Sequence, residues 1–207
     1  MEQEKFAVCA EHLTKIFRDE VTKVPVTALE NLHLSIPAGK MTALTGPDGA
    51  GKTTCLRLIC GLLSPTGGRV EVLGRDVEEK RDEVQSLLGY MPQKFGLYED
   101  LSCMENMNLY ADLHGISKEE REKRYDRLLT MTGLAPFTDR RAGQLSGGMK
   151  QKLGLACTLI RTPALLLLDE PSDGVDPLSR RELWAIFTAL VKDEGLSLLV
   201  SQANKEK

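Results

Sequence analysis

Met41-Thr42-Ala43-Leu44-Thr45-Gly46-Pro47-Asp48-Gly49-Ala50-Gly51-Lys52-Thr53-Thr54 is an apolar run that passes into three closely spaced glycines and a lysine with two threonines. Met41 to Leu44 reads as a buried strand. Beyond it Leu56, Ile59, Leu62 and Leu63 recur at helical spacing until Pro65-Thr66-Gly67-Gly68 stops them. The order is strand, glycine loop, helix. Residues 46–53 fit the pattern Gly-x-x-x-x-Gly-Lys-Ser/Thr, a turn whose backbone N–H groups converge on an anion at the positive end of the following helix. Gly46, Pro47, Asp48, Gly49, Ala50, Gly51, Lys52, Thr53 and Thr54 are therefore the candidate phosphate-binding residues. The glycines supply curvature, Lys52 is expected to reach the outer phosphates of a nucleotide, and the Thr53 hydroxyl to ligate Mg²⁺. A chance match in a chain of ordinary composition is on the order of one percent.

A partner for this loop lies far downstream. Ala164-Leu165-Leu166-Leu167-Leu168 is an unbroken apolar run, the pattern of a parallel strand covered on both faces, and it ends in Asp169-Glu170-Pro171. Ligands bind at strand ends of open parallel sheets. Asp169 is thus the candidate second Mg²⁺ ligand, beside the loop of a neighbouring strand, and Glu170 the candidate base or orienter of an attacking water. The bland alternative is an acidic pair facing solvent.

The remaining pattern is α/β with a helical insertion. Phe6 to Ile36 is strand-like with a break at Val24-Pro25-Val26, and Pro37-Ala38-Gly39 is a turn. Further strands are expected at Arg69 to Leu73, Leu87 to Met91 and Leu196 to Ser201. Ser102 with Glu105 and Ser117 with Glu120 each form a capping-box pattern that opens a helix, and no strand is expected from about Gly96 to Ile160. Asp176-Pro177 is an N-cap and first-turn pair for a helix carrying Leu183, Ile186, Phe187 and Leu190.

The chain has 207 residues, with 27 Lys and Arg against 30 Asp and Glu, a net charge of −3. That balance lacks the basic excess of a general nucleic-acid binder. No apolar run approaches the roughly 18 residues that span a bilayer. Met1-Glu2-Gln3-Glu4-Lys5 does not resemble a secretory signal, so a cytoplasmic protein is expected. Five scattered cysteines suggest neither a disulfide framework nor a zinc site.

Leu145-Ser146-Gly147-Gly148-Met149-Lys150-Gln151-Lys152 is more selective than either phosphate motif. Ser146 can cap a helix with Met149, Leu153, Ala156 and Ile160 on one face, and Gly147-Gly148 leave its first N–H groups open to an anion. This segment resembles the signature motif of ATP-binding cassette (ABC) ATPases, and other parts resemble the same family in the same order along essentially the whole chain. The resemblance implies a P-loop NTPase (RecA-like) core over 1–95 and 161–207 with an N-terminal antiparallel β portion, and a helical subdomain over 96–160. The cofactors implied are ATP and Mg²⁺. Phe17 falls where the family stacks an aromatic ring on adenine, although it can equally be core. Gln93, in Gly89-Tyr90-Met91-Pro92-Gln93, falls at the glutamine that touches Mg²⁺ and water. Asp176, in Ser172-Asp173-Gly174-Val175-Asp176, falls in the loop that crosses the dimer interface, or is only an N-cap. A second such domain, packed head to tail, is implied to complete each ATP site with its Ser146 to Gly148.

The absence of a heptad run argues against the repair ATPases of this family, and length and charge argue against the tandem translation type. Residues 91–102 and 143–152 look most like bacterial multidrug or ABC-2 type exporters. This implies a motor on the inner face of the membrane, docked on an integral-membrane permease through Phe95, Leu97 and Tyr98 unless these fold into the core. A nucleotide-binding regulatory half with weak hydrolysis is the remaining alternative. Ala203 stands where the family has a histidine, and the chain is expected to be a fragment that stops short of the family's usual end, with one half of a tandem ATPase as one form of the intact protein.

Overall fold

The computed structural model describes residues 6–18, 21, 23–94 and 96–203. Two strands of 13 residues, β1 (Phe6–Arg18) and β2 (Pro25–Pro37), form an antiparallel ribbon. The expected break at Val24-Pro25-Val26 is placed slightly late: Val24 lies between the two strands, but Pro25 already opens β2, where its missing N–H costs nothing at the strand's first position. β3 (Met41–Gly46) follows and delivers the glycine loop to helix α1 (Lys52–Ile59). α1 is shorter than the apolar spacing predicts. The N–H groups of Leu62 and Leu63 both turn back to the Arg57 carbonyl, and Leu62 is left 54% exposed.

β4 (Gly67–Val72), the short β5 (Arg75–Asp76), helix α2 (Arg81–Leu87) and β6 (Leu88–Met91) come next. α2 has only seven residues and one buried side chain, Val84, too little periodicity to register in the sequence. Among the described residues Gly96 to Ala164 contributes helices and no strand: α3 (Cys103–Leu113), α4 (Lys118–Thr132) and α5 (Gly147–Leu159). The Ser102–Glu105 box forms in both directions, at 3.1 Å and 2.7 Å. The Ser117–Glu120 box is half-made. Ser117 accepts from the Glu120 amide, but the Glu120 carboxylate turns to the Ser117 hydroxyl and to Arg124. β7 (Leu165–Asp169), helix α6 (Pro177–Glu194) and β8 (Ser197–Ala203) complete the described chain.

Two four-stranded sheets result. One is antiparallel, in the order β2-β1-β4-β5, and the other parallel, in the order β3-β8-β7-β6. The central strands β7 and β8 of the parallel sheet are buried on both faces and so read as continuous apolar runs, whereas β3, expected to be buried, lies at the sheet edge with Ala43 and Thr45 exposed. Leu166, Leu168, Leu198 and Val200 pack towards the helical lobe and α6, while Leu165, Leu167 and Leu199 pack with Cys55, Leu56 and Ile59 of α1 against Val8, Val70 and Val72. The first layer holds the helical insertion and the second holds the phosphate loop, with the sheet as the plate between them.

One topological expectation is corrected. β7, which ends in Asp169, does not neighbour the loop strand β3; β8 lies between them, with Ser201 paired to Leu44 on one side and to Asp169 on the other. No described helix is long and apolar enough to cross a membrane.

Candidate functional site: a phosphate loop facing two strand-end carboxylates

The glycine loop closes over the N-terminus of α1. Gly51 occupies the N-cap with φ of 86°, and no side chain caps the helix, so the first N–H groups face the cleft. A Cβ on Gly51 would stand 2.4 Å from the Ala28 carbonyl oxygen and 2.9 Å from Leu29 Cδ2, so both conformation and space demand glycine. Lys52 begins the helix and folds over the loop, donating to the carbonyls of Gly46 at 3.0 Å and Pro47 at 2.9 Å. The Ala50 amide donates to the Pro47 carbonyl and tightens the turn.

Across the cleft, Glu170 leaves β7 with φ of 48°, a left-handed conformation that costs a residue with a side chain on the order of 1–2 kcal/mol. Its Oε1 lies 3.2 Å from Lys52 Nζ and both side chains are largely buried, while its Oε2 accepts from Gln93 Nε2 at 3.3 Å. Gln93 also donates to Asp173 Oδ2 at 3.4 Å. Asp169 is 2% exposed and is held from both neighbouring strands: Ser201 Oγ donates to its Oδ1 at 2.7 Å, and Tyr90 donates to its Oδ2 at 3.4 Å. Burial, with a smaller push from Asp169, raises the Tyr90 phenol to about 12, so it stays a donor.

These groups surround a cleft of about 390 Å³ lined by Ala28, Asp48, Gly49, Gly51, Lys52, Thr53, Thr54, Gln93, Glu170 and Asp173. Backbone amides at a helix N-terminus and one lysine suit a phosphate chain. No group of three or more His, Cys, Asp or Glu among the described residues is arranged to hold a metal alone. A threonine hydroxyl, an amide and a carboxylate are oxygen donors of the kind Mg²⁺ uses when phosphate and water complete its shell, so the residues fit that ion.

Other residues singled out in the sequence lie apart from this cleft. Phe17 is 38% exposed at the far end of the β1–β2 ribbon, paired with Val26, with Lys15 Nζ 5.1 Å from its ring centre. Ser146 caps α5 by accepting from the Met149 amide at 3.3 Å, and both Ser146 and Gly147 are exposed. Gly148 is different, because it is buried. A Cβ there would stand 2.3 Å from Ser179 Cβ and Oγ, so the second glycine lets the N-termini of α5 and α6 abut. Asp176 caps α6 through the Ser179 amide at 2.9 Å, and the Ser179 hydrogen bonds hold its carboxyl below its ordinary value.

The loop after Gln93 is tied to the helical lobe. Buried Asn106 accepts from the Tyr98 amide and donates to the carbonyls of Tyr98, Leu101 and Ser102, and Glu99 pairs with Lys150 of α5 at 2.7 Å. Leu97 packs partly buried against the lobe core and Tyr98 is 56% exposed; Phe95 lies outside the described residues. Ala203 pairs with Gly46 across the β3–β8 edge, and it lines a second cavity of about 260 Å³ with Glu170, Ser172, Asp173, Arg180, Ser201 and Gln202.

Sequence reasoning missed Tyr90 and Ser201. A hydroxyl ending the apolar run Leu198-Leu199-Val200 was the available signal for the second; nothing marked the first.

Comparison with known proteins agrees with this architecture. The sequence profile of the ABC transporter family matches residues 29–173. The chain is 56% identical over 174 residues, 84% of its length, to the probable multidrug ABC transporter ATP-binding protein YbhF of Escherichia coli (strain K12), and spans 30% of that protein. It is 38% identical, again over 84% of its length, to the daunorubicin/doxorubicin resistance ATP-binding protein DrrA of Streptomyces peucetius, of which it spans 52%. Among solved structures it resembles the dimeric bacterial ABC transporter cassette MJ0796 with a TM-score of 0.83 and 28% identity, covering 94% of this chain and 87% of that one. The same cassette is known as a dimer in a post-hydrolysis state bound to ADP and Pi, with an equal TM-score. With a phosphate loop, strand-end carboxylates, a helical insertion and these relatives, the chain belongs to the ABC transporter family of ATP-binding domains.

Proposed function

We propose that this chain is the ATP-binding and ATP-hydrolysing motor of an ABC exporter of drugs or other small molecules, and that it works head to tail with a second ABC domain. The observation that carries the reading is the convergence of Lys52, Gln93 and Glu170 on the open N-terminus of α1, with Asp169 fixed behind them. The ATP phosphates take the α1 amides and Lys52, and Lys52 gives up the Glu170 carboxylate to them. Thr53, Asp169 and Gln93 are the residues to hold Mg²⁺, which when bound neutralises phosphate charge. Glu170, released from Lys52 and positioned by Gln93, accepts a proton from the attacking water.

Phe17 serves the adenine and Ser146 to Gly148 serve the phosphates of the partner domain's nucleotide, at the exposed N-terminus of α5. Asp176 serves that interface through its cap of α6, which abuts α5. In this reading the loop from Gln93 to Leu101 is the contact to a membrane permease at the cytoplasmic side of the membrane, and the exposure of Tyr98 supports it. The likeness to YbhF and DrrA supports the exporter class. Phosphate release from Mg-ATP by the full chain tests the reading. Turnover that disappears in Lys52→Ala supports it, and turnover unaffected by Lys52→Ala removes it.

A further inference from the structure

Asp169 and Glu170 are adjacent in sequence but need opposite treatments, since one carboxylate is buried at the end of a strand and the other turns back into the cleft on a left-handed residue. A single hydroxyl touches both. Ser201 is fully buried; its Oγ donates to Asp169 Oδ1 at 2.7 Å and accepts from the Glu170 backbone amide at 2.9 Å. It sits opposite Asp169 in the β7–β8 register and opposite Leu44 in the β3–β8 register. It therefore stands between the strand of the carboxylates and the strand of the phosphate loop.

We infer that Ser201 is a positioning residue of the ATPase site, setting the carboxylate of Asp169 and the chain reversal at Glu170 through one hydroxyl. The inference rests on the proposed roles of those two acids. The donor half fixes the orientation of Asp169, with Tyr90 on the opposite oxygen. The acceptor half satisfies an amide that leaves the strand ladder as the backbone enters the left-handed region, and so stabilises the one conformation that sends the Glu170 side chain to Lys52 and Gln93. Without the hydroxyl, Asp169 loses its short bond and the Glu170 turn loses its acceptor.

The test compares Ser201→Ala, Ser201→Cys and Ser201→Thr in the full chain. Cysteine keeps the packing while weakening both bonds, and threonine restores the hydroxyl. Five quantities are read: kcat and KM for Mg-ATP, ADP affinity with and without Mg²⁺ by calorimetry, and the thermal midpoint. Alanine and cysteine are expected to lower kcat by about tenfold or more, the loss expected of a hydrogen bond to a charged group. KM should stay within about threefold, metal-free ADP affinity should be unchanged, and the gain in ADP affinity given by Mg²⁺ should shrink. Threonine should recover most of the loss. Parallel losses in midpoint, metal-free binding and kcat, or no loss in kcat with the Mg²⁺ gain intact, overturn the inference. Should the parent chain bind Mg-ADP but not turn over ATP, the proposed activity fails while the Mg²⁺ gain still decides the role of Ser201. A parent with no nucleotide affinity at all overturns both.

Discussion

Replacing Glu170 with glutamine separates binding from chemistry, and the size of each effect follows from the pair it makes with Lys52. At an effective dielectric of about 20, unit charges 3.2 Å apart attract by ~5 kcal/mol. Most of that is offset by the water both groups give up, and Lys52 keeps its bonds to the Gly46 and Pro47 carbonyls, so the net contribution is about 1–2 kcal/mol. A phosphate chain arriving at Lys52 must displace this carboxylate. Glu170→Gln removes the competing charge and keeps the shape, so nucleotide affinity should rise by roughly 5- to 30-fold. Turnover should fall by about a hundredfold or more, because the amide accepts no proton from water. ADP titration by calorimetry reads the first effect without interference from hydrolysis, and phosphate release reads the second. Glutamine protein with the parent's ADP affinity would refute the competition between Glu170 and phosphate, and undiminished hydrolysis would refute its role as base.

Three further outcomes are expected. Lys52→Ala should weaken Mg-ATP binding by about a hundredfold or more, since it removes the cation aimed into the loop; titration with a fluorescent ATP analogue checks this. Ala203→His places an imidazole beside Gly46 at the cavity it shares with Glu170, and should raise kcat by up to about a hundredfold with little change in ADP affinity; an unchanged kcat would show that no contact is missing there. Gly148→Ala sets a methyl 2.3 Å from Ser179, and overpacking of roughly 1–3 kcal/mol should lower the thermal midpoint by about 3–8 °C; a midpoint equal to the parent's would mean that α5 and α6 separate freely.

The parts of the chain that could be read directly were those where one local pattern has one structural solution. Leu165 to Leu168 could only be a doubly covered strand, and the glycine loop could only join a strand to a helix. The Asp176 cap and the Ser102–Glu105 box were legible because capping is settled within four residues. The failures have a common cause, which is that tertiary neighbours decided them. Pro25 looked like a break but opens an edge strand. α2 buries only Val84 and is otherwise held by long-range bonds such as Gln85 to the Cys60 carbonyl and Arg161 to the Ser86 carbonyl. Nothing in the sequence shows that β8 slots between β3 and β7, so the hydroxyl that ends the run Leu198-Leu199-Val200 could not be placed opposite Asp169. Gly148 has a packing role that only the fold reveals, since Ser179 stands where its Cβ would be.

The head-to-tail ATP site is the central claim, and complementation tests it most directly. Lys52→Ala disables the phosphate loop of its own chain, and Ser146→Arg disables the signature segment that chain lends to its partner. Each protein alone has no intact composite site. Mixed in equal amounts, half of the dimers are hybrids and each hybrid holds one intact site, so phosphate release should return to roughly a quarter of the parent rate. Two inactive proteins that stay inactive when mixed, or a Ser146→Arg chain that hydrolyses ATP as fast as the parent by itself, would contradict the account.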